Sequence, residues 1–435
     1  MNTDILELVA TKKENLVKCR RDLHKHAETA WTEFRTASIV AATLARLGYQ
    51  VAVGEEVIDA EVMMGVPSEQ ELINHQARAI AQGADPSWVG RMQGGKTGVM
   101  GVMHFAEPGP VIAFRFDMDA NDVVEAMLAE HRPWRAGFAS VNAGAMHACG
   151  HDGHTAIGLT LAEVLTEVKN ELAGTVKLIF QPAEEGVRGA KAMVARGIVD
   201  DVDFFVGLHL GIGLKQRGTV TCNTVGFLAT TKLDAVYTGV PAHAGAAPET
   251  GKNALLAAAT AALNLHAISR HSKGASRINV GVLQAGTGRN VIPDKAVLKL
   301  ETRGTTSEIN NYIYQSALRI LEAAAAMYDV KLDLSPMGDA STSENSPLLV
   351  ERLQQIAETS NLFASILPEG NIGGSEDCTY FMERVQQKGG QAAYLMIGTE
   401  LAAGHHDSRF DFDEGSLVSA TALLGKAAVE FLSKK

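Results

Sequence analysis

Short apolar runs alternate with helical patterns between Gly98 and Leu210, and this alternation constrains the fold more than any other feature of the sequence. The runs TGVMGVMHF and GPVIAFRFDMDA are bounded by glycine and proline, as buried strands are, and TVKLIF and DFFVGLHL continue the series. Helical periodicity covers 153–169 and 188–196 between the later runs. This order predicts an α/β fold with a largely parallel sheet and helices packed on its faces.

The segment 223–342 follows a different order. KLDAVYTG, SRINVGVLQAG, KAVLKLETRG and KLDLSP have strand patterns, and two long helical patterns lie among them. The resulting β-α-β-β-α-β order is that of a ferredoxin-like domain. We therefore predict an α/β domain formed by 1–222 and 343–435, into which a ferredoxin-like domain of 223–342 is inserted.

Two N-terminal segments have their own patterns. Residues 4–48 show helical spacing in two stretches, which predicts two helices. Residues 55–97 are polar and weakly patterned, as an insertion is. Within them, Ser68 followed by Glu71 has the form of a capping box and predicts a helix of about 15 residues that ends near Gly83.

Charge and composition exclude several classes of function. The formal net charge of −11 disfavours nucleic acid and anionic membrane surfaces as partners. The longest apolar run, 254–263, is too short to cross a bilayer. The four cysteines are scattered and form no CxxC pair. We therefore expect a cytoplasmic protein in which an important cysteine is a ligand or a nucleophile rather than half of a disulfide.

Residues of metal-ligating type follow the predicted strands. MHACGHDGHT opens a helix at 146–155, QPAEEG directly follows TVKLIF, and His209 ends DFFVGLHL; GHHD, at 404–407, follows the late strand AAYLMIG. In an open α/β sheet the ligand crevice lies at the carboxyl ends of the strands, so these clusters are expected to meet at one edge. Their mixture of thiolate, imidazole and carboxylate suits zinc and tolerates manganese.

We assign a metal site for two divalent ions, Mn²⁺ or Zn²⁺, to these clusters. Cys149 is expected to bridge the ions, and the terminal ligands are expected to be His151, Glu185, His209 and His406. His405 remains the alternative to His406. Glu184 cannot bind as its neighbour Glu185 does, because consecutive side chains of an extended segment point in opposite directions. It is therefore the expected general base, which takes a proton from the attacking water.

Each of these motifs is weak evidence by itself. A single histidine after a strand is usually structural, and a buried cysteine usually acts as a small hydrophobic residue. Four clusters at equivalent topological positions favour the metal site instead. We interpret His147 and His154 as structural; His154, Asp117 and Asp119 could also orient the ligands.

Candidate residues in the inserted domain have two interpretations. His243 lies in the glycine-bearing turn GVPAHAG, and Asn290 and Arg303 lie in NVIP and KLETRG. The turn is either a surface loop without a functional role or a turn that displays His243 for a functional role. The arginine either grips a substrate carboxylate or pairs on the surface.

The motifs MHACGHDGHT, QPAEEG, LHL, AHAGAAPETGKNALLAA and NVIP resemble those of dinuclear metallopeptidases that include aminoacylases, hippurate hydrolases and plant auxin-conjugate hydrolases. The resemblance covers nearly the whole chain. It implies a zinc-peptidase-like catalytic domain and makes the inserted domain a lid and dimerisation domain. It also favours His406, from its spacing to Phe410, although the family usually carries proline where this chain has Ser408.

The resemblance also implies roles and partners. His243 would stabilise the tetrahedral oxyanion, commonly that of the other protomer of a dimer, while Asn290 and Arg303 would hold the substrate carboxylate. The insertion and the GHHDSRFDFDE ending are most similar to the branch that uses bacterial folate catabolites. This implies p-aminobenzoyl-glutamate as the substrate and a homodimer, or a heterodimer with a related chain. The alternatives are a broader N-acyl-amino-acid or dipeptide hydrolase and a non-catalytic partner chain.

Overall fold

The structure, a computed structural model, describes residues 4–434 and divides into two compact units. The main unit comprises the described residues up to Val225, together with Ser343–Gly373 and the residues from Asp377 onward. The inserted unit comprises Gly226–Thr342 and Gly374–Glu376. Residues 223–225 thus belong to the main unit, where Thr224–Val225 pairs with Gly370–Asn371, while our predicted boundary placed them in the inserted domain.

Helices and strands alternate along most of the chain. The α-helices are α1 Ile5–Thr11, α2 Lys13–Lys25, α3 Phe34–Arg46, α4 Glu69–Ala81, α5 Pro86–Val89, α6 Arg132–Arg135, α7 His151–Glu167, α8 Ala190–Ala195, α9 Ala254–His266, α10 Ser307–Met327, α11 Pro347–Ser360, α12 Thr379–Gln387 and α13 Gly415–Leu432. The strands are β1 Gln50–Val53, β2 Val99–His104, β3 Glu107–Asp117, β4 Ala173–Gln181, β5 Phe204–Leu210, β6 Thr219–Thr221, β7 Thr224–Val225, β8 Ala229–Thr238, β9 Ser276–Ala285, β10 Lys295–Gly304, β11 Lys331–Ala340, β12 Ser365–Leu367, β13 Gly370–Asn371 and β14 Gln391–Ile397.

The main unit is built on an eight-stranded sheet with the order β1-β2-β4-β3-β5-β14-β6-β12. Its four central strands, β4, β3, β5 and β14, are mutually parallel, and antiparallel pairs flank them. The carboxyl ends of the central strands therefore lie along one edge of the sheet. This confirms the predicted α/β class and gives the clusters that follow those strands a common location.

Helix α7 packs closely against the sheet. Almost all of its side chains are buried, and at Gly158 an added Cβ would lie 2.5 Å from the Phe116 ring of β3. Only a glycine permits this approach, which fixes the helix over the strands. Because α7 begins at His151, the packing also fixes the position of the first motif predicted to bind metal.

The inserted unit is a four-stranded antiparallel sheet with the order β11-β8-β10-β9 and two helices, α9 and α10. Apolar residues of both helices and the strands form its own core. Its chain order, β-α-β-β-α-β, is the one predicted from the sequence and confirms a ferredoxin-like domain.

The N-terminal prediction was partly wrong. Residues 4–48 form three helices rather than two, because α1 ends at Thr11 and α2 starts at Lys13. The 55–97 insertion behaves as expected: Ser68 and Glu71 form a capping box at the start of α4, which ends at Ala81.

Helix α13 has a length and apolar composition that would allow it to cross a membrane, the only such helix among residues 4–434. Its most apolar window is 67% buried inside the protein. It packs mainly against α7 and α1, with residues such as Leu417 and Leu423 fully buried, so its apolar composition is explained by core packing.

Candidate active site

The sheet brings the predicted ligand motifs to one place. Strand β4 ends at Gln181, directly before the QPAEEG turn, and β5 carries His209 next to its last residue. Strand β3, between them, ends at Asp117. The start of α7 and the 404–407 loop complete the arrangement.

All five predicted metal ligands converge in the main unit. The sulfur of Cys149 lies 3.4 Å from Nε2 of His209. Oε1 of Glu185 lies 3.5 Å from Nε2 of His406 and 4.0 Å from Nε2 of His151. Cys149 belongs to two groups whose donor atoms all lie within 4.8 Å of one another, one with His151 and His209 and the other with Glu185 and His406. A shared sulfur is the arrangement expected of a bridging ligand.

Both buried imidazoles are oriented by their second nitrogen. Nδ1 of His151 donates to the carbonyl of Asp119 at 2.9 Å, and Nδ1 of His209 donates to the carbonyl of Leu210 at 2.8 Å. Each ring therefore turns its Nε2 toward the cluster, where the neutral form of the ring would present a lone pair to a cation. This is how metal-binding histidines are usually held.

The donor atoms fit a divalent cation. Nε2 of His151 and Oε1 of Glu185 are buried and have no hydrogen-bond partner within residues 4–434. Native proteins rarely leave such atoms unsatisfied. Burial raises the pKa of the Cys149 thiol well above its ordinary value, so the thiolate needs a cation beside it. Hence the chemistry of these side chains is that of a metal site.

The charge states of His209 and Glu185 agree with this interpretation. Burial lowers the pKa of His209 well below its ordinary value, which keeps the imidazole neutral. Burial disfavours the charged form of Glu185, but the imidazoles of His406 and His151 outweigh it and lower its pKa to about 2. A neutral imidazole and an ionised carboxylate are the forms that bind metal.

The structure separates His406 from His405. Nε2 of His405 donates to the carbonyl of Leu210 at 3.3 Å, and its ring packs 5.0 Å from that of Phe410. His406 adopts a left-handed backbone with φ of 64°, and its N–H donates to the carbonyl of Ala148. This backbone turns the His406 side chain, and not that of His405, into the cluster.

His154 and His147 lie close to the cluster in sequence but are not among its five donors. His154 uses both ring nitrogens: Nδ1 donates to Asp117 at 2.6 Å and Nε2 accepts the N–H of Leu210 at 3.0 Å. It has no lone pair left for a metal. His147 is fully buried, and burial lowers its pKa to about 3, so it is neutral. Neither is a ligand in this arrangement.

A carboxylate holds the QPAEEG turn in position. The two oxygens of Asp119 accept the backbone N–H groups of Glu184 and Glu185, at 3.0 and 2.8 Å. Positive φ angles at Ala183, Gly186 and Val187 curl the turn back on itself. This directs Glu184 toward the cluster, with its carboxylate 3.9 Å from Nε2 of His151. Asp119 was predicted only as a residue that could orient a ligand.

A second buried carboxyl supports the same turn, and sequence reasoning missed it. Glu33 accepts the N–H of Ala183 at 2.8 Å and the hydroxyl hydrogen of Thr97 at 2.6 Å. Burial, followed by the nearby charge of Asp119, raises the pKa of Glu33 to about 8. The local pattern around Glu33 does not indicate this role, because its partners are 64 and 150 residues away.

The inserted unit contains the remaining predicted residues. His243 is exposed, pairs through its backbone with Val291, and accepts the N–H groups of Gly245 and Ala246 at Nδ1. The carbonyl of Asn290 accepts the N–H of Ala244, so Asn290 lies beside this turn.

Arg303, on β10 of the same unit, is already paired with a carboxylate. Its Nε and Nη2 donate to the two oxygens of Glu301 at 3.0 and 3.2 Å. This is the surface pairing that the sequence left open for this arginine.

The chain is similar to known proteins over most of its length. The profile of "Peptidase family M20/M25/M40" matches residues 113–430. An indole-3-acetyl-aspartic acid hydrolase of Enterobacter agglomerans is 52% identical over 417 residues, covering 96% of this chain and 95% of the relative. One of the subunits of the p-aminobenzoyl-glutamate hydrolase of Escherichia coli K12 is 53% identical over 413 residues, covering 95% and 94%.

A solved structure is similar as well. An aminobenzoyl-glutamate utilization protein from Klebsiella pneumoniae superposes with a TM-score of 0.83 at 44% identity, covering 98% of both chains. The chain therefore belongs to peptidase family M20/M25/M40, a family of metal-dependent enzymes, and it is a hydrolase that acts on amide bonds.

Proposed function

We propose that this protein hydrolyses the amide bond of p-aminobenzoyl-glutamate to p-aminobenzoate and glutamate. The observation that carries the proposal is the location of Glu184, whose carboxylate lies 3.9 Å from Nε2 of His151 and so beside the cluster of five converging donor side chains. A base beside a metal site is what amide hydrolysis requires. The substrate is inferred from the relatives, one of which, 53% identical, is named for p-aminobenzoyl-glutamate.

The cofactor is proposed to be two divalent ions, Mn²⁺ or Zn²⁺. They would be held by Cys149, which belongs to both groups of donors, and by His151, Glu185, His209 and His406. When bound, such ions polarise the amide carbonyl and make a nearby water more acidic. Glu184 takes the proton from the water whose oxygen bonds to the carbonyl carbon. It then delivers that proton to the leaving nitrogen as the C–N bond breaks.

His243 is proposed to donate to the oxyanion. Its Nδ1 accepts two backbone N–H groups at 3.1 Å, so the ring proton of the neutral form must lie on Nε2. An Nε2–H group is a suitable donor to a developing negative charge. Asn290, which lies beside His243, is proposed to help hold a substrate carboxylate. Arg303, at the other end of β10, is proposed to help as well, with the donors that Glu301 leaves free.

The working form is proposed to be a dimer in the cytoplasm, either of two copies or with a related chain. The second possibility is supported by the Escherichia coli relative, whose name makes it one of the subunits of its hydrolase. A broader activity on N-acyl amino acids has support too, because a relative of almost equal identity is named for indole-3-acetyl-aspartate.

The test is release of p-aminobenzoate by the purified chain supplied with manganese or zinc, with metal content measured on the same sample. We expect release that a chelator abolishes. Glu184→Gln should lower kcat by ~100- to 10,000-fold at unchanged metal content, whereas Glu351→Gln, on the exposed face of α11, should match wild type. Full activity of Glu184→Gln, or a protein that binds no metal, would contradict the proposal; indole-3-acetyl-aspartate and dipeptides in the same assay define its breadth.

A further inference from the structure

Arg188 lies three residues after Glu185, in the turn that presents the catalytic carboxylate. Its backbone N–H donates to the carbonyl of Ala183 at 3.1 Å, which closes the turn. Its guanidinium folds over Gly186: an added Cβ there would lie 2.5 Å from Nε and 2.9 Å from Nη2 of Arg188. Because Gly186 has no side chain, the Arg188 guanidinium can lie against the backbone of Gly186, the residue directly after Glu185.

The position of the Arg188 side chain is fixed from its other side by the 55–97 insertion. Nη1 of Arg188 donates to the carbonyl of Gly65 at 3.1 Å. The preceding carbonyl, of Met64, accepts the indole N–H of the buried Trp31 at 2.8 Å. Two adjacent carbonyls of this insertion are thus tied to the rest of the main unit, and one of them positions the guanidinium.

Arg188 differs from the buried Arg20 and Arg115 in having no carboxylate partner within the described residues. Arg20 pairs with Asp152 at 2.8 Å, and Arg115 pairs with Asp117 at 2.6 Å. Within residues 4–434, no carboxylate oxygen lies within 4.0 Å of the Arg188 guanidinium, although the side chain is partly buried. A partly buried guanidinium with free donors is suited to an anionic ligand, above all to a carboxylate in a two-pronged grip.

The names of two relatives indicate which carboxylate the Arg188 guanidinium could bind. Indole-3-acetyl-aspartate and p-aminobenzoyl-glutamate, for which two relatives above 50% identity are named, differ in their acyl groups. What they share is a dicarboxylic amino acid. Such a substrate brings two carboxylates, and the residues proposed for one of them lie in the inserted unit.

We propose that Arg188 binds the side-chain carboxylate of the amino-acid half and so makes the enzyme selective for conjugates of glutamate and aspartate. The proposal rests on the proposed function and adds a specificity-determining residue to it. The turn that carries Glu184 and Glu185 is strongly acidic, so a cation attached to it also offsets the repulsion of a dianionic substrate.

The experiment compares p-aminobenzoyl-glutamate with p-aminobenzoyl-glutamine, which replaces only the side-chain carboxylate by a neutral amide. In the wild type we expect kcat/KM to favour the glutamate conjugate by roughly 100-fold or more, because the neutral amide leaves charged donors unsatisfied. In Arg188→Gln the ratio should fall to near one, through loss of activity on the glutamate conjugate. Arg188→Lys should recover part of the ratio, since it restores the charge without the fork.

Two comparisons separate this role from a structural one. Arg196→Gln removes the same charge from an exposed position at the end of α8 and should keep the wild-type ratio. If Arg188→Gln lowers kcat/KM equally for both conjugates, the arginine only ties the insertion to the turn and the proposal is wrong. A ratio that is unchanged in the variant overturns it as well.

Calorimetric binding of both conjugates distinguishes a failure of this proposal from a failure of the proposed function. Absence of p-aminobenzoate release by the wild type would overturn the proposed function alone. Tighter binding of the glutamate conjugate to wild type, and not to Arg188→Gln, would still support the role of Arg188. Equal binding of the two conjugates by wild type would refute it.

Discussion

Replacing Glu33 with glutamine is expected to stabilise the metal-free protein relative to wild type by an amount that grows with pH. Glu33 is fully buried, and burial, with the nearby charge of Asp119, raises its pKa from the ordinary 4.5 to about 8. Between these values the folded protein keeps a proton that the unfolded chain has lost. The stability of the wild type therefore falls as pH rises through this window.

The magnitude follows from the two pKa values. Each pH unit inside the window is worth about 1.4 kcal/mol, and the whole interval from 4.5 to about 8 is worth about 5 kcal/mol. Glutamine imitates the protonated carboxyl, because its carbonyl can accept the N–H of Ala183 and its amide can donate to Thr97. The advantage of Glu33→Gln should therefore widen by about 3 kcal/mol between pH 5.5 and 7.5.

Urea unfolding in the presence of a chelator measures this difference. Comparing the variant with wild type at each pH cancels the other titrating groups. Glu55→Gln is the matched control, because Glu55 is exposed and its pKa is lowered by Lys96, so it is ionised in both states above pH 5.5. Its difference from wild type should stay flat. An equally flat difference for Glu33→Gln would refute the argument that the buried carboxyl is protonated.

Two further predictions concern the metal site. Asp119→Ala removes the acceptor of the backbone N–H groups of Glu184 and Glu185, so metal affinity, measured by chelator competition, should fall ~10- to 100-fold. An unchanged affinity would show that the turn keeps its conformation without Asp119. His406→Ala should lose bound metal after dialysis, whereas His405→Ala should retain it, because only His406 faces Glu185; equal losses would contradict this assignment.

Much of the fold followed from local pattern. The capping box of Ser68 and Glu71 predicted the start of α4, and the strand–helix order predicted both sheets, because periodicity and turn residues act over short distances. The break between α1 and α2 at Lys12 was not predicted, because the helical spacing of apolar residues continues across it and nothing in the pattern marks the end of α1.

The sequence also determined which residues could form the site. Cys149, His151, Glu185 and His209 lie in motifs that follow or flank parallel strands, and parallel strands deliver such motifs to one edge. The choice between adjacent residues did not follow from this rule. It needed the left-handed backbone of His406 and its hydrogen bond to Ala148.

Only the tertiary structure revealed the residues that support and extend the site. Glu33 accepts the N–H of Ala183 in the turn, and Asp119 accepts the backbone N–H groups of Glu184 and Glu185. The Arg188 guanidinium donates to the carbonyl of Gly65 in the 55–97 insertion. These contacts join residues that are separated by between 65 and 150 positions in the sequence. Local propensity determines helices and strands, whereas the charge state of a buried carboxyl and the free donors of a guanidinium depend on which distant groups the fold packs around them.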